Sequence, residues 1–183
     1  MKIPPRKLCL WQTSIEGIII ILTITFGKGL NSLEKETIIE NLRALYHTNP
    51  FVRLLDIVID DAGPGMAKSH MVVRPELVNM AGYLHGGALE TLVDNLCGVA
   101  GRTLGKDVVT QNISLSYIKN IKEGDTAHAE VHVLHSGSHT LVMKFDAVSD
   151  SGALLCEGTA TMFVMRTDDN FTNIWDEGSS SLG

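Results

Sequence analysis

The chain has 183 residues, 44% of them hydrophobic, and a formal charge of −6 at neutral pH. That is enough apolar material for one domain with a real core. The acidic balance excludes a general binder of nucleic acid or of anionic membrane, which needs a clustered basic surface. Cys9, Cys97 and Cys156 form no Cys-x-x-Cys pair and are odd in number, so they read as reduced thiols of a cytoplasmic protein.

At the N-terminus, Lys2, Arg6 and Lys7 precede the apolar run Ile18 to Ile24, which superficially resembles a signal peptide. No small-x-small cleavage site follows Phe26, and the run is far short of the roughly 20 apolar residues of a spanning helix. Residues 1–31 are therefore expected to be an extension outside the fold, an over-long start with the true one near Leu30 or Leu33. From Ser32 the pattern changes. Ser32-Leu33-Glu34-Lys35-Glu36 is a helix-start signal, and Ile38, Ile39, Leu42 and Leu45 follow at helical spacing up to Asn49-Pro50. Phe51 to Asp60 and Met66 to Val73 read as two strands around the turn Asp61-Ala62-Gly63-Pro64-Gly65, a hairpin.

Between Gly87 and Leu104, apolar residues cover most of a helix circumference, which predicts a buried central helix. Four strand-like runs follow at Val108 to Tyr117, Thr126 to His135, Leu141 to Asp150 and Ala153 to Met165. They are expected to form an antiparallel meander. The predicted class is α+β, a sheet wrapped around the long helix over residues 32–166, followed by a disordered acidic tail over 167–183.

Within the apolar helix stands a carboxylate, Asp94, and burying an unpaired charge costs several kcal/mol. It could be bonded to a neighbouring loop, lie at a helix edge with Asn95, or carry function. Glu90, nearly one turn earlier, is the second candidate acid. The helix opens with His85-Gly86-Gly87, either a tight turn with a cap or a set of unobstructed backbone N–H donors where the helix dipole favours developing negative charge. Asp94 lies eight residues after Gly86, about 12 Å along a helix axis. One chain cannot easily bring the two together. A second subunit with its helix antiparallel would, giving two composite sites per dimer.

The run from Asn79 to Asn95, Asn-Met-Ala-Gly-Tyr-Leu-His-Gly-Gly-Ala-Leu-Glu-Thr-Leu-Val-Asp-Asn, resembles the signature of the PaaI-like hotdog thioesterases. Thr110 to Tyr117, Gly124 to Ala129 and Gly152 to Phe163 resemble the same family, so the likeness spans roughly Glu34 to Arg166. The resemblance implies a hotdog fold and hydrolysis of an acyl-CoA thioester. It makes Asp94 the nucleophile or the general base, and gives Gly86 or Gly87 N–H to the thioester carbonyl. It sets Asn79 and His85 across the site and Thr110 beside the acid. No cofactor is implied, since coenzyme A belongs to the substrate. The implied partners are the acyl-CoA and a second copy in a homodimer, pairing further to a homotetramer, without nucleic acid or membrane.

The sequence departs from that family at Ser136-Gly137-Ser138-His139, where many relatives place an Arg or Lys near the coenzyme A phosphates. Gly137, Ser138, His139 and Lys119 are the candidate substrate contacts there, with Lys122 and Arg166 as further basic residues. His128 and His132 share a strand face around Glu130, which alternation alone produces, and no metal site is expected. Two other readings remain. One is a hydratase or dehydratase of hydroxyacyl thioesters using His85 and Asp94. The other is a non-catalytic acyl-CoA-binding or dimerisation module, which would lose the acid.

Overall fold

A computed structural model describes residues 14–15, 18–19 and 32–167. Ser14–Ile15 (β1) and Ile18–Ile19 (β2) pair antiparallel as a separate two-stranded sheet. The rest of the expected extension, and the expected tail beyond Thr167, lie outside the described residues.

Helix α1, Ser32–His47, starts where the capping signal predicts and buries Ile38, Ile39 and Leu42. The next segment corrects the sequence reading, because Phe51 to Asp60 is not one strand. Pro50–Leu55 is a short helix, α2, and only Val58–Gly63 is strand, β3. The cause is local. Asn49 accepts a hydrogen bond from Phe51 N–H at 2.9 Å as N-cap, and Pro50, whose ring fixes a helical φ and which lacks an N–H, occupies the first turn. Asp56 then adopts a left-handed conformation that ends the helix.

Strand β4, Met66–Val72, completes the hairpin with β3. A 3-10 turn at Pro75–Leu77 leads to the long helix α3, Gly86–Arg102. Four strands follow: β5 (Lys106–Tyr117), β6 (Thr126–Ser136), β7 (Thr140–Ser149) and β8 (Leu154–Thr167). β8 thus includes Thr167, where the tail was expected to begin. The six strands form one antiparallel sheet in the order β3-β4-β6-β7-β8-β5. This corrects the simple meander: β6, β7 and β8 are sequential neighbours, whereas β5 crosses to the far edge and pairs with β8.

Helix α3 packs on β4, β5, β6 and β7. It buries Leu89, Leu92, Val93, Leu96, Cys97, Val99 and Ala100. Ala67, Ala127, Ala129, Ala147 and Ala160 are among the buried strand residues of the same core, small side chains that let a helix lie close to a sheet. With Leu92 fully buried, Leu92→Ala should cost about 2–5 kcal/mol.

Strand β5 carries the irregularity that matters for the site. Thr110 pairs with Met162 and Asn112 with Thr161, so Gln111 is an extra residue, a β-bulge. The bulge changes the parity of the strand. Val108 and Thr110 face α3 before it, and Ile113, Leu115 and Tyr117 do so after it. Strict alternation would have turned Thr110 and Tyr117 to opposite faces.

Candidate active site

His85 is the N-cap of α3, and its Nδ1 accepts from Gly87 N–H at 3.0 Å. Accepting there places the neutral imidazole's proton on Nε2, which stays free to donate. The first helical N–H groups have no intrahelical acceptor. Gly87 is satisfied by His85, and no hydrogen bond among the described residues uses Gly86 N–H. Gly86 is therefore the open donor of the pair.

The next peptide, Gly86–Gly87, is held by a residue that the sequence reading missed. The Tyr117 hydroxyl donates to the Gly86 carbonyl at 3.0 Å, and a Cβ on Gly86 would stand only 3.1 Å from the Tyr117 ring and hydroxyl. A larger residue at 86 would make the Tyr117 ring give way by a few tenths of an ångström. Burial first, and then the negative charge of Glu90, push the Tyr117 phenol above its usual pKa, so it remains a donor at neutral pH. The cue was the β5 bulge, which alternation cannot show.

Asp94 sits half-buried on the side of α3 turned to β5, and Thr110 donates to its Oδ1 at 2.5 Å. Of the sequence-predicted residues, Asp94 and Thr110 are thus brought together, as are His85, Gly86 and Gly87. Asp94 and Gly86 lie two turns apart on one helix. Asn79 lies in the turn before α3, where its Oδ1 accepts from Ala81 and Tyr83 N–H at 2.9 and 3.3 Å. Its carbonyl is spent on that turn, which leaves only the amide N–H groups to donate.

At the β6–β7 turn, Ser138 and His139 bond to each other at 2.8 Å and are exposed. The cation there comes from a residue the sequence reading passed over: Lys106 Nζ is 2.7 Å from both Ser136 Oγ and the Gly137 carbonyl. Lys119 lines a cavity of about 260 Å³ with Gly86, Leu89 and Tyr117. Lys122 lies 5.5 Å from the Tyr83 ring centre. Arg166 is committed to Asp107, which Arg102 also meets, and so is not a free phosphate contact. A second cavity, about 380 Å³, opens on the other side of the α3 N-terminus between α2 and Gly87.

His128 and His132 of β6 are partnered separately, His128 with Asp150 and His132 with Glu130, each at 2.7 Å. Among the described residues no three His, Cys, Asp or Glu side chains group to hold a metal, and no helix is long and apolar enough to cross a membrane.

The sequence pattern of the thioesterase superfamily matches residues 81–156, which include His85, Gly86, Gly87, Asp94 and Thr110. Acyl-coenzyme A thioesterase 13 of Homo sapiens is 30% identical over 126 residues, 67% of this chain and 90% of that protein. A hypothetical thioesterase of Streptococcus pneumoniae, solved with coenzyme A, is 30% identical, with a TM-score of 0.64 over 68% of this chain and 98% of that one. That thioesterase has also been solved with single Asp-to-Ala and Thr-to-Ala substitutions sixteen residues apart, the separation of Asp94 and Thr110. The Escherichia coli PaaI protein, 22% identical, shares the fold with a TM-score of 0.68 over 73% of this chain and 97% of that one. The chain belongs to the thioesterase superfamily, as a hotdog-fold thioester hydrolase of the PaaI-like type.

Proposed function

We propose that the chain hydrolyses an acyl-CoA thioester to the free acid and coenzyme A, with Asp94 as nucleophile or general base. The observation that carries this is the pairing of a polarised carboxylate, Asp94 held by Thr110, with an open N–H at Gly86 on the same helix. A thioester carbonyl bound at the α3 N-terminus accepts from Gly86 N–H and His85 Nε2–H, while Asn79 Nδ2 donates to the water or to the thioester. Asp94 either takes a proton from water as the water oxygen attacks the carbonyl carbon, or attacks that carbon itself. The resulting oxyanion rests on the fixed donors, whose individual loss costs about 3 kcal/mol in comparable sites. It collapses by breaking the carbon–sulfur bond, and coenzyme A leaves as the thiolate; on the base route the acid is then free, and on the nucleophile route a water hydrolyses the acyl–Asp94 anhydride, releasing the acid and restoring the carboxylate. No cofactor takes part. The cation that Lys106 brings to Ser136 and Gly137, together with Lys119, suits the phosphates of coenzyme A.

The roughly 12 Å between Gly86 and Asp94 along α3 favours a site completed by a second subunit. The exposed edge strand β5, with Val109 turned to solvent, supports a homodimer formed along it, and two such dimers would pair to a homotetramer. Cys97 and Cys156, buried free thiols, suit a reducing cytoplasm.

The shared site is tested by co-expressing Asp94→Asn and Gly86→Val subunits, each inactive alone. A composite site restores about a quarter of wild-type activity, because half of the dimers are mixed and each mixed dimer has one intact site. Lack of recovery in a verified heterodimer contradicts it.

A further inference from the structure

The acyl pocket is the cavity between α2 and the α3 N-terminus, and we infer that it selects an apolar acyl group of medium length. This rests on the thioesterase reading above. The cavity has Gly87 and Ala88 as one wall, Phe51 and Leu54 of α2 as the opposite wall, and Leu77 of the 3-10 turn in its lining. It borders His85, one of the two donors proposed to hold the reacting carbonyl, while Gly86, the other, lines the smaller cavity on the Tyr117 side.

Two features fix its chemistry. Phe51 and Leu54 are large apolar side chains left 53% and 64% exposed beside the site, surface that an inserted hydrocarbon would cover. Several of the polar groups around the cavity are already engaged. The Thr91 hydroxyl donates to the Gly87 carbonyl at 2.8 Å, and His85 Nδ1 accepts from Gly87. The Arg74 guanidinium donates through Nη2 to the Leu54 carbonyl, while its Nε is buried and has no hydrogen-bond partner among the described residues. Glu76 adds a carboxylate that disfavours an acyl chain with an anionic end. Beyond His85 Nε2, which serves the carbonyl, and Arg74 Nε, a group entering here is offered apolar contact rather than hydrogen bonds.

Size sets the length. About 380 Å³ stands near the lower end of the roughly 300–1,000 Å³ usual for ligand pockets, room for a medium chain but not for a long one. The Arg74 contact also ties the end of α2 to the end of β4, so the wall is formed before substrate arrives. The cavity of about 260 Å³ on the Tyr117 side, with Lys119 in its lining, is left for the pantetheine arm.

The test is thiol release from acetyl-, butanoyl-, hexanoyl-, octanoyl- and palmitoyl-CoA by the wild type, Leu54→Trp, Leu54→Ala and Leu134→Trp. In the wild type, kcat/KM should rise with each methylene by up to about fourfold, the value of burying one CH₂, and stop rising before palmitoyl. Leu54→Trp should lower the octanoyl-to-acetyl ratio at least about tenfold, chiefly through KM, and Leu54→Ala should move the optimum to a longer chain. Leu134→Trp, exposed on β6 away from both cavities, should keep the wild-type profile. An active wild type with a flat profile, or Leu54 variants that leave the profile unmoved, overturns the pocket and leaves the hydrolase reading standing. A wild type that cleaves none of the thioesters overturns the hydrolase reading and, with it, this one.

Discussion

The Tyr117 hydroxyl donates to the carbonyl of Gly86 at 3.0 Å, so the last residue of β5 fixes the peptide at the first residue of α3. The Gly86 N–H is aimed by the same short segment of backbone, which makes Tyr117 a positioning residue for the open donor. Tyr117→Phe removes a neutral hydrogen bond worth about 1 kcal/mol. We expect kcat about five- to tenfold lower with KM nearly unchanged, and wild-type kcat in Tyr117→Phe would show that the bond does not position the site.

Thr110→Val keeps the shape of the side chain and deletes the donor to Asp94. A hydrogen bond to a charged group contributes about 1.5–3 kcal/mol. Turnover should fall roughly ten- to a hundredfold, and Thr110→Ser, which keeps the hydroxyl, should recover most of it. A Thr110→Ser protein as slow as Thr110→Val would argue that Thr110 only packs there.

Much of this arrangement was legible in the sequence, and what was not has particular causes. The α3 period, the Asp94 anomaly and the Gly86-Gly87 start are local signals, readable because a helix ties each residue to its neighbours. The β5 bulge at Gln111 depends on pairing with β8, some fifty residues later, so neither Thr110's facing nor Tyr117's role could be read from alternation. Lys106 escaped for the same reason: it reaches Ser136 and Gly137 across a fold whose strand order is not sequential. The reading of Phe51 as strand failed because Asn49-Pro50 was taken only as a stop, when Asn followed by Pro also caps and starts a helix.

The thiols should be bystanders. Burial, with a smaller contribution from the Asp94 charge, pushes Cys97 up to about 12, and burial, then Asp146, pushes Cys156 up to about 11. Both stay protonated at neutral pH and cannot act as thiolate nucleophiles. Native enzyme should keep full activity after iodoacetamide at pH 8, and rapid stoichiometric alkylation of Cys97 with loss of turnover would contradict this.

Asp107 joins α3 to β8 by meeting both Arg102 and Arg166. Burial alone would raise its pKa, but the hydrogen bonds and charges of Arg166 and Arg102 outweigh that and hold it below the usual carboxylate value. A depressed folded pKa stabilises above the unfolded value of about 3.9 and loses that contribution as pH falls through the folded one. Asp107→Asn should therefore be about 1 kcal/mol less stable than wild type at pH 7, with the gap closing toward pH 3 in denaturant titrations. A gap constant with pH would contradict the ion-pair account.

The most direct measurement is single-turnover thiol release by Asp94→Asn in heavy-oxygen water, alongside the wild type, on the thioester that the wild type cleaves fastest. The substitution keeps the shape and removes the charge. The account predicts a folded protein with the wild-type oligomeric state whose rate is lower by orders of magnitude. The wild-type reaction reports on the route: solvent label found in the Asp94 carboxylate after one turnover marks it as nucleophile. An Asp94→Asn protein that releases thiol as fast as wild type would contradict the assignment of Asp94 to the chemistry.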